Sequence, residues 1–367
     1  MKNNFIAKHW KRIIMFVLFV ILVAASLLIG SYTDGELTVP HGAGIAQVLV
    51  RPLRVAAMVP RAFINALHSG DETAWLIFWQ SRVPRTLAVV ISAAGLSVGG
   101  LIMQAISRNK FMSPGTSGAT DAAALGLLLA FIFLPPQSGI VQTLFAFVFA
   151  FLATMLFVVI INRLKIREVV YIPLLGMMYG GMIAAVSTAI AFHFEAIQML
   201  NAYNLASFSR FGHFEMVYLV LVPLGLAVAF ATKFSIIGLG ADFAKNLGIN
   251  YNRVVFLGLM AIALISASTF VSVGPLPFVG LIIPSMATTF YGDNLKKSIV
   301  DLMMFGANFV LLSDIVSRLM VHPGEVNVSV IISVAGGAVF MVYLIRGMSG
   351  GRRAKRSKRQ PAVAAKA

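Results

Sequence analysis

Residues 139–161 read GIVQTLFAFVFAFLATMLFVVII, without one charged side chain, and the next six, NRLKIR, carry three cations. A helix needs about 20 apolar residues to cross ~30 Å of hydrocarbon. This run is long enough, and it ends where a membrane surface would hold basic residues. Working outward, similar stretches recur at 13–31, 83–104, 118–134, 170–190, 214–232, 254–273, 276–291, 299–320 and 328–346. The pattern predicts an all-α polytopic membrane protein with about ten transmembrane helices. The stretch at 276–291 is the weakest, because Gly274, Pro275, Pro277, Gly280 and Pro284 would break a soluble helix; membrane helices tolerate such residues when neighbours satisfy the backbone.

Composition agrees. Of 367 residues, 59% are hydrophobic and 11% charged, against roughly one quarter charged in soluble domains. The net charge of +16 would suggest a nucleic-acid partner in a soluble chain, but here the cations lie between the spans, so none is expected. Cytoplasmic loops of membrane proteins hold the excess of Lys and Arg. With the amino terminus inside, that side carries 22 of the 29 lysines and arginines, and without the tail the bias is still 14 against 7. Both termini are therefore expected in the cytoplasm. Lys8, Lys11 and Arg12 before the first run imitate a signal peptide, but the run exceeds a typical signal core and reads as an uncleaved anchor.

The membrane-spanning region is 1–346. Within it lie an external loop at 32–81 and a cytoplasmic loop at 233–253. Positions 44–67 of the external loop are compatible with an interfacial helix or with a plain loop. The tail, 347–367, is basic and too poor in apolar residues to fold. It is expected to be disordered and to meet anionic lipid.

Few residues inside the spans carry chemistry. Asp301 and Asp314 fall within a span and Asp121 near the start of one, which does not support proton or sodium coupling. Asp314 and Arg318 stand four apart and form an expected intrahelical ion pair. Gly95 and Gly99, with Gly100 beside them, have the small-xxx-small spacing of close helix packing. No Gly-rich phosphate loop is present, so ATP is not expected to bind this chain. The histidines show no metal-ligand spacing, and there are no cysteines. In the loop at 233–253, Asp242 to Leu247 reads as a short helix with Phe243 and Leu247 on one face, closed by Gly248. It would dock on a protein or lie on lipid.

Four blocks then resemble the ABC-importer permeases for iron-siderophore complexes, haem and vitamin B12. They are Ser81–Leu87 continuing to Arg108–Gly115, Gly240–Asn250, Gly274–Pro284, and Asp314 through Arg318 to Val326. The ferric-siderophore branch is the most similar; vitamin B12 or haem transport is the alternative, with an ion-coupled secondary transporter behind it. The resemblance implies a non-enzymatic transport subunit in the inner membrane of a bacterium, without a cofactor of its own. Its implied partners are cytoplasmic ATPase subunits that use ATP, a second permease (a related chain or a second copy) and an extracytoplasmic substrate-binding protein.

The same resemblance assigns sites residue by residue. Arg82, Arg85 and Arg318 match the external arginines that dock the binding protein. Gly240, Asp242, Phe243, Ala244, Leu247 and Gly248 match the loop that couples to the ATPase. Asn109 and Phe111 match the cytoplasmic gate, although Asn109-Lys110-Phe111 replaces the Asn-Pro-Leu of the vitamin B12 member, and Pro284-Ser285 replaces a common Pro-His.

Overall fold

The computed structural model describes residues 2–29, 60, 61, 63–134, 138–164, 171–208, 214–291, 295–321 and 324–359. Among these residues all regular structure is helical. In chain order the helices are α1 (Lys2–Leu28), α2 (Glu72–Ile77), α3 (Val83–Ser107), α4 (Ala119–Phe133), α5 (Gly139–Leu164), α6 (Tyr171–His193) and α7 (Ile197–Asn204). They continue with α8 (Leu221–Ala229), α9 (Ala231–Ile237), α10 (Ala241–Asn246), α11 (Tyr251–Ser272), α12 (Val279–Tyr291), α13 (Leu295–Met320) and α14 (Val328–Arg359). Helices are the expected answer for apolar runs of this length, since each satisfies its own backbone where no water is available.

Five stretches are long and apolar enough to cross a membrane: Glu72–Ser107, Gly139–Leu164, Tyr171–His193, Tyr251–Ser272 and Ser298–Met320. A sixth is formed if Glu215–Ala229 and Ala231–Ile237, bent by 70°, count as one span. Four shorter apolar helices accompany them: Arg12–Leu28, Ala119–Phe133, Val279–Thr288 and Val328–Val342. The chain is a multi-pass membrane protein.

α3 is the central post, buried almost all round, whereas α5 and α6 leave most of their apolar surface facing outward. The small residues of α3 explain its place. A Cβ on Gly100 would fall on the backbone carbonyl of Gly280 in α12, and one on Gly95 would strike the Val220 side chain. Helices can approach this closely only when neither presents a side chain at the crossing. The glycine run thus serves packing within one chain. At the other face, Arg12 pairs with the buried Asp301 at 2.7 Å, and Asn308 Nδ2 donates to the Met15 carbonyl at 3.1 Å, so α1 is fastened to α13.

The structure departs from the simple span pattern in three places. Residues 214–232 are not one straight helix: 3-10 turns at Phe214–Val220 give way to α8, and the axis turns sharply at Phe230 before α9. Pro223 lies in the first turn of α8, where a missing N–H is tolerated. The eighth span begins only at Val279, leaving Gly274–Phe278 as a loop, and Pro284 sits inside α12. The last helix runs on to Arg359, where low apolar content predicts disorder; residues 360–367 lie outside the described residues. So does most of the external loop, including Arg51 and Arg54, although 63–68 are helical and α2 follows.

Candidate functional site

The arginines singled out from the sequence gather where α3 begins and α13 ends, and their guanidinium groups turn inward. Arg82, Arg85 and Arg318 are 4%, 8% and 3% exposed, and Asp314 is fully buried. Arg318 Nη2 meets Asp314 Oδ2 at 2.5 Å, the expected i,i+4 pair. Arg85 Nη2 meets the other carboxylate oxygen at 2.7 Å, and Arg85 Nη1 meets Glu325 at 2.6 Å. One carboxylate therefore bridges two cations. Such pairs are tolerated in a low-dielectric interior only when the remaining donors are also satisfied.

The carboxyl end of α1 supplies part of that satisfaction, for Arg82 and Arg318, while among the described residues Arg82 Nη2, Arg85 Nε and Arg318 Nε find no acceptor. The last carbonyls of a helix have no internal partner, and in α1 they become acceptors for arginine. Arg82 Nη1 donates to Leu27 O at 3.0 Å and Leu28 O at 2.7 Å. Arg318 Nη1 donates to Ser26 O at 2.9 Å and Ile29 O at 2.5 Å, and its Nη2 to Ser26 Oγ at 2.7 Å. Cations also suit the negative end of the helix dipole. The Arg82 guanidinium carbon lies 3.4 Å from the centroid of the buried Phe63 ring, a cation–π stack. Ser317 Oγ bonds the Val326 carbonyl, which holds the segment after α13 against the cluster.

At the opposite end, α3 stops at Arg108, whose φ of 49° is left-handed. Asn109 is buried; its N–H donates to Gln104 O at 3.1 Å and its Oδ1 accepts from the Phe111 N–H at 2.9 Å. This is the turn-forming chemistry of Asn. The Phe111 ring meets Phe340 of α14 edge-on, with centroids 6.2 Å apart. Ser285 Oγ lies 2.8 Å from both the Lys110 and the Leu281 carbonyls, so its one proton serves either, and Gln104 Nε2 donates to that oxygen at 3.2 Å. Residues 109–111 are thereby tied to α3, α12 and α14. The serine at the departure Pro284-Ser285 is the side chain that fastens this turn to α12.

The loop after α9 folds into α10 between two glycines with positive φ, Gly240 at 118° and Gly248 at 72°. The end is a Schellman closure: Gly248 N–H donates to Lys245 O at 2.9 Å and Ile249 N–H to Ala244 O at 3.0 Å. Ala244 is buried against the body. Phe243 and Leu247 are half exposed, at 49% and 55%, and Leu239 beside them at 65%. The predicted apolar face exists, and among the described residues nothing covers it.

Residues 45–346 match the FecCD transport family. The chain belongs to the FecCD transport family. Among its FecCD relatives, the petrobactin import system permease protein YclN of Bacillus subtilis is 39% identical over 268 residues, which covers 72% of this chain and 85% of YclN. The ferric-anguibactin transport system permease protein FatD of Vibrio anguillarum is 35% identical over 285 residues, 77% of this chain and 91% of FatD. The fold is shared with an inward-facing metal-chelate type ABC transporter at a TM-score of 0.67, with 22% identity over 90% of this chain and 97% of that one. It is shared less closely with PsaBC from Streptococcus pneumoniae, at a TM-score of 0.56 and 18% identity over 77% of this chain and 94% of that one.

The arginine cluster holds partners that the sequence reading missed. Arg85 and Asp314 are 229 positions apart, and Ser26 and Arg318 are separated by 292. Glu325 stood in a resembling block without a partner assigned to it. A buried arginine needs a carboxylate or carbonyls nearby, but the burial itself is visible only in the folded chain.

Proposed function

We propose that this FecCD-family chain is the membrane-spanning permease subunit of an ATP-binding-cassette importer that carries a ferric-siderophore complex across the cytoplasmic membrane of a bacterium. The observation that carries the proposal is the family match over residues 45–346, together with relatives at 39% and 35% identity that are named for petrobactin and ferric-anguibactin import. Ten spans result if the bent pair is one span and the four shorter apolar helices also cross. An even number puts both termini on one side, and the charge bias makes that side the cytoplasm.

Within this reading each surface has a task. The half-exposed Phe243 and Leu247 on α10 seat in a cytoplasmic ATPase subunit, and ATP hydrolysis belongs to that partner. Asn109 and Phe111 close the cytoplasmic end of the path. The outward faces of α5 and α6, with Met177, Met178 and Met182 more than half exposed, meet a second permease, so that the chelate passes between two subunits. The substrate-binding protein docks on the outer face shaped by Arg82, Arg85 and Arg318. Glu325, with 21% of its side chain exposed, covers Arg85, and an acidic residue of the binding protein takes its place on docking. The basic tail lies on anionic lipid.

The test is uptake of radiolabelled ferric petrobactin in cells that lack this chain but keep its partners. Wild type is expected to restore ATP-dependent uptake, and Arg85→Glu, inserted to the same level, is expected not to. Equal rescue by both removes Arg85 from docking. Failure of wild type with petrobactin, but success with vitamin B12 or haem, moves the substrate to that branch.

A further inference from the structure

Midway through the helical body a cleft of about 220 Å³ opens where two loops meet. One is the Ser113–Gly115 turn after α3, whose Pro114 packs on Gly280. The other is Gly274–Phe278, between α11 and α12. The helices that follow these loops, α4 and α12, have 15 and 13 residues, about 20–22 Å at 1.5 Å per residue. That is shorter than the ~30 Å hydrocarbon core, so in each crossing the preceding loop covers the remaining depth, and both helices begin inside the protein beside the cleft.

Asp121 is the one ionisable side chain lining the cleft. It lies in the first turn of α4, and Gly180 of α6 leaves the notch that accommodates its carboxylate. Among the described residues it forms no ion pair. Its place at a helix start offsets only a minor part of the cost of an intramembrane carboxylate. Thr120, Ser266 and Thr269 line the same cleft. Ser266 and Thr269 are each 2% exposed, and among the described residues their hydroxyl oxygens have no hydrogen-bond partner. Buried polar atoms are nearly always paired, and each exception calls for an unseen partner.

We propose that this cleft binds a partly hydrated alkali-metal cation, held by Asp121 with the hydroxyls of Thr120, Ser266 and Thr269. The donors considered are all oxygen, the set that suits hard cations. A single carboxylate is neutralised by a single positive charge, whereas a divalent ion would leave a net charge where its desolvation is most costly. At ~30 Å³ per water the volume accommodates the ion with several waters, which complete the coordination that four side chains leave open. The site differs from the arginine network, the gate turn and α10, and it shares no residue with them.

The test uses the purified importer complex in nanodiscs, without siderophore or ATP, so its outcome is independent of the proposed transport substrate. Thermal unfolding is followed by tryptophan fluorescence while sodium or potassium chloride replaces N-methylglucamine chloride at constant ionic strength. A saturable rise of about 3 °C is expected for the wild type. Asp121→Asn is expected to abolish it. Ser266→Ala with Thr269→Ala removes two unpaired hydroxyls, is expected to leave the fold intact, and should raise the half-saturating concentration about tenfold. The proposal is overturned if the three chlorides act alike on the wild type, or if Asp121→Asn keeps the cation-dependent rise. Should Asp121→Asn not fold, an unchanged half-saturation in the double hydroxyl variant overturns it equally.

Discussion

Asp314→Asn keeps the shape of the side chain and removes its charge, at the point where α3 and α13 are joined. Asp314 is fully buried and accepts from Arg85 at 2.7 Å and Arg318 at 2.5 Å. The substitution changes a cluster of three arginines and two carboxylates into one of three and one. Breaking a buried pair costs about 3–5 kcal/mol, because a charge is left uncompensated. Asparagine still accepts one bond, which places the loss near the lower end, ~3 kcal/mol. At roughly 2–4 °C per kcal/mol for chains of a few hundred residues, the unfolding midpoint should fall by about 6–12 °C. Differential scanning fluorimetry of the chain in detergent micelles reads this directly. Glu325→Gln is the internal control: Glu325 is partly exposed, and its pair with Arg85 is worth ~1 kcal/mol or less. A midpoint for Asp314→Asn within 1 °C of wild type, or a larger fall for Glu325→Gln, would refute the account of a carboxylate-centred network.

Phe243→Ala with Leu247→Ala removes the half-exposed face of α10 and should leave the unfolding midpoint unchanged. It should weaken ATPase binding by roughly 2–3 kcal/mol, about 30- to 150-fold, read by titrating the ATPase onto nanodiscs. Gly100→Ala should destabilise by about 1–3 kcal/mol or prevent insertion, since its Cβ would occupy the place of the Gly280 carbonyl. Gly181→Ala, with open space around the same atom, should be neutral in the same melting assay. Ser285→Ala should cost about 1 kcal/mol locally, seen as roughly fivefold faster hydrogen exchange over residues 108–113.

Much of the site was legible because its signals are local. The Asp314–Arg318 pair follows from an i,i+4 spacing. The α10 helix follows from Phe243, Leu247 and a closing glycine, and Gly248 does adopt the left-handed conformation that a closing residue needs. The turn at Asn109, which the sequence reading did not anticipate, rests on the chemistry of its own side chain, whose Oδ1 accepts from the Phe111 N–H. In contrast, the pairing of Arg85 with Asp314 and the capping of α1 by Arg82 and Arg318 have no local signature. They link residues from 54 to 292 positions apart. The three arginines that the resemblance matched to docking positions lie in a buried network that the sequence did not announce, because the pattern of charges along the chain carries no record of the open helix end that they would meet.

The sequence by itself determined that the chain is helical and where its apolar runs lie, because transfer of apolar residues into hydrocarbon adds up residue by residue. Only the tertiary structure decided which faces meet. Helices such as α4, α5 and α6 are apolar nearly all round, and lipid and protein interior are equally apolar, so periodicity does not say which side turns inward. The crossing at Gly100 and Gly280, the bend at Phe230 and the cleft around Asp121 arise from side-chain directions in three dimensions. A one-dimensional pattern of hydrophobicity does not contain them.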